Sequence, residues 1–523
     1  MIGISGAGSR MIRDEHGWKG VKNHCAGAAP AIIQQSDLRL IEGDISSGAM
    51  DGMLALEGFD TAEVLTGSLP RPLATSAESF RRAAALHDAG KFADAEVVLR
   101  EAIARDPDNS DLRNARGVMF AAMGRDLDAL WCYRDAIACS PSGAGIWTNL
   151  GNTLTRLRHL KGAVTAHRRA IALARTDDAL LWQNLGTSLA EAGQHGEAVL
   201  AFTRAIEIDP ARHMARWDRG RSYLYLGNYR SAWPDYEVRR VTGQLPAKKL
   251  PGEPWAGQPY AGKRLVLVVE QGFGDTLWVA RYLPRVKALG GELLMECQKE
   301  LMPLIGRMGV ADQLIPRDDP LPEADYHCYL CSLPGLFTHD FASIPPAPFI
   351  DAPRERMAKF KPLLDEARGR LKVGIVWSGS VTFKRNQERA QPLLRFFQGF
   401  ALPGIQLYSL QKGPPEQELR ALPRGGPIID LSPHIDDFAD TAAAIAGLDL
   451  VIMTDSAVAH LAGAMRKPVW VLLGHVAHWL WLQDRVDSPW YPSLRLFRPR
   501  AEGDWDYVFD SASVELMGLA KLA

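Results

Sequence analysis

The chain has 523 residues, 47% hydrophobic and 23% charged, which is too long for one ordinary core and excludes a mainly disordered polypeptide. Its 60 Lys and Arg balance 61 Asp and Glu to a formal net charge of -1, excluding a bulk electrostatic commitment to nucleic acid while leaving a local basic groove open. No run offers the roughly 20 apolar residues of a membrane span, and the first residues lack the apolar core of a secretion signal. The six cysteines are scattered, and the Cys328 and Cys331 pair has no second pair to complete a metal site. Ordinary buried thiols in a reducing, cytoplasmic setting are expected.

Residues 1–73 are rich in Gly, Ala and Ser and carry no sustained period. They are expected to form a poorly ordered arm without a functional site.

A strong period begins next. Ala95, Ala129 and Ala163 lie 34 residues apart, Ala198 follows after 35 and Ala232 after another 34. Ala83, Gly117, Gly151, Gly186 and Gly220 each stand twelve residues earlier, and Ala102, Ala136, Ala170 and Ala205 seven later. Small residues at these spacings let paired antiparallel helices approach closely, while Leu150, Trp147, Leu185 and Trp182 fill the joints between pairs. The period and its residue types resemble tetratricopeptide repeats, about five of them over residues 76–240. Arg175 stands where such repeats usually have proline, and Arg239 replaces a small residue in the last unit, which suggests a solenoid end that meets another domain. Stacked helix pairs present an extended concave surface suited to a peptide segment, with Asn149 and Asn184 as candidate contacts; a scaffold or dimerisation surface is the alternative.

Residues 241–262 contain Pro246, Pro251, Pro254 and Pro259 and read as a linker. From Lys263 the pattern becomes alternating strand and helix. Strands are expected at 264–269, 292–297, 326–330, 371–377, 406–410, 450–453 and 469–473, with helices at 354–370, 438–446 and 457–465. Mainly parallel sheets in two lobes follow, residues 263–355 and 356–523, with a ligand cleft at the C-terminal ends of their strands.

Three polar turns fall at such ends. Gly272 and Gly274 permit close backbone approach, and Asp275 either caps a helix or faces the cleft as a base. Ser378, Gly379 and Ser380 form a turn able to hold an anion, with Lys384, Arg385 and Arg389 as compensating cations; a solvated basic loop is the alternative. Asp455, Ser456 and His460 follow an apolar strand and open a helix whose terminus favours phosphate, Asp455 being an acceptor for loop amides or sugar hydroxyls. His460 either orients a ligand or packs structurally. Thr441 supplies a further helix terminus, as a phosphate contact or as part of a cap. His475 and His478 lack matched carboxylates, so no metal site is assigned. Trp479, Trp481 and Trp490 are expected to pack a core or line the cleft.

Five segments then occur in order: Glu270 to Asp275 (EQGFGD), Gly374 to Gly379 (GIVWSG), Asp437 to Ala442 (DFADTA), Asp455 to Gly463 (DSAVAHLAG) and Asp487 to Pro492 (DSPWYP). Residues 263–513 thereby resemble bacterial proteins that join tetratricopeptide repeats to a heptosyltransferase-like GT-B glycosyltransferase domain. The resemblance implies an α+α/β chain, a tetratricopeptide α-solenoid followed by a GT-B fold of two Rossmann-like α/β lobes. Residues 74–240 would form the repeat domain, 263–355 the acceptor-side lobe and 356–523 the nucleotide-sugar lobe.

It further implies metal-independent, inverting transfer of a sugar from a nucleotide-sugar cosubstrate, with no other cofactor and with Asp275 as general base. Donor-binding candidates are Gly274, Ser378, Gly379, Ser380, Lys384, Arg389, Thr441, Asp455, Ser456 and His460. The leading acceptor is a protein side-chain hydroxyl recruited by the repeats, and some relatives of this joined architecture look like flagellin glycosyltransferases. Phe383 and Ala390 depart from a histidine and a serine in those relatives, which puts the contacts of Lys384 and Arg389 in doubt. A noncatalytic scaffold with a retained cleft and a glycan-building transferase remain alternatives, and the oligomeric state is open.

Overall fold

A small residue every 34 or 35 positions sets the first architecture: a helix pair for each period. The structure, a computed structural model, describes residues 12–14, 17–19, 74–245, 248–347, 349–422 and 426–521. Most of the expected arm, together with Cys25 and Pro246, lies outside these residues. Two short strands, β1 (Ile12–Asp14) and β2 (Gly17–Lys19), pair antiparallel.

Five helix pairs follow among the described residues: α1 (Ser76–Asp88) and α2 (Phe92–Arg105), α3 (Ser110–Ala122) and α4 (Asp126–Cys139), α5 (Ala144–Arg156) and α6 (Leu160–Leu173), α7 (Ala179–Glu191) and α8 (His195–Ile208), α9 (His213–Tyr225) and α10 (Tyr229–Tyr236). The recurrent glycines serve close approach. A Cβ at Gly117 would lie 2.5 Å from Tyr133, at Gly151 2.5 Å from His167, and at Gly186 2.6 Å from Phe202. In these three pairs the first helix therefore offers a bare backbone to a ring on the second, whereas Gly220 faces Asp235 and the Tyr236 backbone. Asn149 is buried and donates from Nδ2 to Oδ1 of Asn114 at 3.0 Å, so this expected peptide contact instead ties two successive repeats together.

Packing divides the chain into two compact units, one ending at Ala215 and the other running from Arg216. The expected repeat boundary at residue 240 is thus displaced: most of α9 and all of α10 belong to the second unit. The reason is what they bury. Arg239 is 1% exposed and donates to Ser332 Oγ at 2.6 Å and to Glu270 Oε1 at 3.3 Å, besides pairing with Glu237. Trp233 Nε1 donates to the Thr338 carbonyl at 2.6 Å, and Trp490 Nε1 to the Tyr229 hydroxyl at 2.9 Å.

Within this unit, β3 (Glu253–Pro254), β4 (Arg264–Val268), β5 (Glu292–Cys297), β6 (Gln313–Pro316) and β7 (Tyr326–Tyr329) form a parallel sheet of order β3-β7-β4-β5-β6. The expected linker thus supplies an edge strand. Helices α11 (Phe273–Val279), α12 (Leu283–Ala288), α13 (Met302–Gly306) and α14 (Leu333–Phe337) accompany it. After α15 (Arg354–Asp365), a second parallel sheet comprises β8 (Leu371–Val376), β9 (Ile405–Ser409), β10 (Ile428–Asp430), β11 (Leu450–Thr454), β12 (Val469–Leu472) and β13 (Leu494–Phe497). Its order is β10-β9-β8-β11-β12-β13. Helices α16 (Leu393–Phe400), α17 (Glu416–Arg420), α18 (Phe438–Ala446), α19 (Ala457–Ala464) and α20 (Trp505–Ala520) complete this lobe.

In the second sheet the chain starts in the middle at β8, winds outward to one side and crosses back to β11; in the first it does the same from β4 to β7, with β3 at the far edge. That reversal opens a crevice at the strand C-termini, between β4 and β7 and between β8 and β11, where ligands of doubly wound sheets sit.

The buried His167 ring has no hydrogen-bond partner on either nitrogen, and burial pushes its pKa from 6.5 down to about 3. The native repeat therefore binds fewer protons than the unfolded chain between those values, so this contribution to stability is complete above pH 6.5 and is lost as pH falls towards 3. His167→Phe, which installs the residue type of the next repeat, should stabilise the repeats by about 1–2 kcal/mol and flatten that acid slope in urea titrations. Gly151→Ala should do the opposite.

Candidate functional site

The first crevice is framed by the turn after β4. Gly272 is extended, and its N–H donates to Asp275 Oδ2 at 3.1 Å, so Asp275 caps α11 as one of its two expected roles requires. The turn itself is pinned from three sides. Gln298 Nε2 and Arg317 Nη1 donate to the Gln271 carbonyl at 3.2 and 3.0 Å, and Thr276 Oγ1 donates to Gln298 Oε1 at 3.0 Å. Behind it, Glu270 is buried against Arg239, and burial raises its pKa against the pull of that guanidinium.

Asp275 is carried towards the second lobe because α11 packs on α19. A Cβ at Gly274 would stand 2.9 Å from His460 Cδ2 and 3.6 Å from Ala457 Cα. Gly274, expected among donor contacts, thus permits the two lobes to approach. Further ties run alongside: the Phe273 and Phe438 rings lie 5.0 Å apart, the Phe438 N–H donates to the Glu300 carbonyl at 3.1 Å, and Arg281 Nη1 donates to the Trp490 carbonyl at 3.0 Å.

His460 is held by aromatic neighbours. Its ring stacks on Trp481 with centroids 5.1 Å apart, and Nδ1 lies 3.1 Å from the Tyr491 hydroxyl. Burial pushes its pKa down to about 4 despite Asp455 and Asp275, which favour the charge. It is a neutral, packed imidazole at ordinary pH.

The second crevice assembles Asp455 and Arg389. Arg389 Nη1 lies 3.8 Å from Asp455 Oδ2; the guanidinium covers the Phe383 ring at 4.5 Å, and Nε donates to Asn386 Oδ1 at 3.2 Å. Phe383 is therefore the platform on which Arg389 rests. A Cβ at Gly379 would fall 2.5 Å from Arg389 Nη2, so that glycine makes room for the cation.

Other expected contacts are engaged internally. The Trp377 and Ser378 N–H groups both donate to Gln411 Oε1, at 3.0 and 2.9 Å, and Ser378 Oγ accepts from Asn386 Nδ2 at 3.1 Å. The Ser378 amide is thus engaged by the Gln411 side chain and its hydroxyl by Asn386, within the lobe itself. Ser456 Oγ faces Met453 Sδ at 3.8 Å, and Thr441 Oγ1 donates to the Asp437 carbonyl at 3.2 Å. The α18 cap belongs to Asp437, which accepts from the Ala439 and Asp440 N–H groups and pairs with Arg356 at 2.7 Å. Ser380 shares its hydroxyl with Thr382 at 2.8 Å on an exposed turn, and Lys384 is exposed.

Gln411, just beyond β9, carries no sequence signal for this site, yet its side chain holds the Trp377 and Ser378 amides. The aromatic belt gave one usable signal: Trp479, Trp481 and Trp490 are buried, as the packing alternative requires.

Comparison with known proteins matches residues 80–144 and 179–212 to the tetratricopeptide repeat. The helical region is built of such repeats. The chain is also 28% identical over 454 residues to protein FlbA of Caulobacter vibrioides, covering 79% of this chain and 74% of that protein. Among solved structures, MamA matches at 22% identity over 31% of this chain and 94% of its own, with a TM-score of 0.29. YrrB, described as a TPR protein with an unusual peptide-binding site, matches at 20% identity over 32% and 87%, also with a TM-score of 0.29.

The His460 ring that Gly274 faces is wedged between Trp481 and Tyr491 and has little room to yield. Gly274→Ala should therefore destabilise the α/β unit by about 1–3 kcal/mol, read as a lower urea midpoint.

Proposed function

We propose that the unit from Arg216 is a glycosyltransferase that moves a sugar from a nucleotide-sugar donor to a protein side-chain hydroxyl, with the repeats recruiting the acceptor. Flagellin is the acceptor candidate drawn from the sequence resemblance. The observation that carries the reading is the convergence of two strand-end crevices. Asp275 at one and the Arg389–Asp455 pair at the other are brought together by the contact of Gly274 with His460.

In this reading the donor lies across that contact. Asp275 takes the proton of the acceptor hydroxyl as its oxygen bonds to the anomeric carbon. The bond from that carbon to the phosphate oxygen breaks, and the nucleotide leaves with the electron pair. Capping and proton acceptance are compatible, because an ionised carboxylate offers about four lone-pair sites. Arg389 compensates the charge of the leaving phosphate, so no metal is required for that role.

One observation favours the scaffold alternative: Gln411 already occupies the Trp377 and Ser378 amides. A donor would then rely on side chains and on α19 rather than on that turn.

Incubation of the full chain with a nucleotide-sugar panel and co-purified partners, read by intact mass, should give donor-dependent addition of one sugar residue. Asp275→Asn should reduce the rate by about 100-fold or more while leaving nucleotide binding in place. Undiminished transfer by that variant would remove the base assignment, and partner capture without any mass shift would favour the scaffold.

A further inference from the structure

His478 occupies a junction of four elements. It precedes Trp479, whose ring packs edge-on to Trp278 at 5.6 Å, one helical turn beyond Asp275 on α11. The loop it sits on begins at Gly474, where a Cβ would lie 2.9 Å from the Glu388 carbonyl, next to Arg389. On its other side, the Tyr225 hydroxyl donates to the Ala477 carbonyl at 2.9 Å. Arg221, four residues earlier on α9, shares the face of Tyr225 and thereby reaches the same place.

This loop is held against its own conformational preference. Leu482 adopts φ 54, which a leucine rarely takes, and Asp484 adopts φ 53. Arg498 fixes it by donating to the carbonyls of Trp481 at 2.6 Å, Leu482 at 3.0 Å and Arg485 at 2.8 Å. A segment clamped in a strained form serves to place something. What it places is an imidazole whose Nδ1 accepts from the Leu480 N–H at 3.4 Å, so a neutral ring carries its proton on Nε2 as a donor. Burial keeps that ring neutral, its pKa pushed down to about 4, and the charged groups acting on it include Asp275, Arg221 and Arg389. His460 and Asp455 flank the same junction.

Arg221 is incompletely engaged. Its Nη1 meets Asp218 Oδ1 at 3.4 Å, while its buried Nε has no hydrogen-bond partner. Two guanidinium groups and one neutral N–H donor thus share a neighbourhood with Asp275, Asp218 lying 3.4 Å from Arg221 and Asp455 3.8 Å from Arg389. We propose that Arg221, Arg389 and His478 form one anion seat near Asp275, in which α9, the first helix of the last repeat, itself contacts the bound nucleotide sugar. The ligand chemistry is an anionic oxygen, from the phosphate or from a carboxylate on the sugar. The inference rests on the nucleotide-sugar reading of this unit and adds two residues to it, one of them from the repeats.

Calorimetric titration of the full chain with the mono- and diphosphates of adenosine, guanosine, cytidine and uridine identifies the tightest nucleotide. Its glucose and glucuronate conjugates are then compared. R221Q and H478A should each weaken binding about tenfold, and R221K, which keeps the charge, by less. Melting curves that match the parent certify that the variants fold. Weaker binding of the free nucleotide assigns the seat to phosphate, whereas weaker binding of the glucuronate conjugate alone assigns it to the sugar carboxylate. Affinities unchanged within about twofold for all three ligands overturn the seat while leaving the donor reading intact. A parent chain that binds no nucleotide overturns both.

Discussion

The approach of α11 to α19 is the constraint from which the rest of the α/β unit follows. Two parallel sheets each offer a crevice at their strand ends, the first carrying Asp275 and the second Asp455 with Arg389. Gly274 leaves space for the His460 ring, and the lobes close until Asp275, Asp455 and Arg389 border one region. Any side chain at that glycine would hold the lobes apart. The aromatic residues around His460 make the contact stiff, since Trp481 and Tyr491 leave the imidazole no alternative seat.

A second constraint joins the last repeat to this unit. Burying Arg239 costs the solvation of a full charge, which is tolerable only with a carboxylate partner and further acceptors. Glu270, Ser332 and Glu237 meet that need. Because Glu270 immediately precedes the Gln271–Asp275 turn, the pair also anchors the turn that carries Asp275. The repeat end and the candidate site are therefore parts of one packed body, which explains why a helix assigned by its period to the solenoid folds with the sheets.

Which strands were legible follows from burial. The central strands β4, β5, β8, β11 and β12 are buried over most of their length and read as mainly apolar runs. The four that escaped notice, β3, β6, β10 and β13, are the sheet edges. They are short and partly exposed, with Pro254, Pro316, Asp430 and Arg495 among their residues, as edge strands often are. The candidate site divides in the same way. Asp275, Asp455, His460 and Arg389 stand in the turns and helix starts that follow central strands and could be named. Gln411 enters only through folding, from a segment with no local mark of function.

The sequence by itself determined the repeats, the two parallel sheets and the turns that end their central strands, because periodicity and apolar runs are local records of burial. Tertiary structure alone decided what those turns contain. It gave the Ser378 turn to Gln411, turned Phe383 into a support for Arg389, and set the His460 ring against Gly274. Such assignments depend on distances between residues far apart in the chain, which no local pattern encodes.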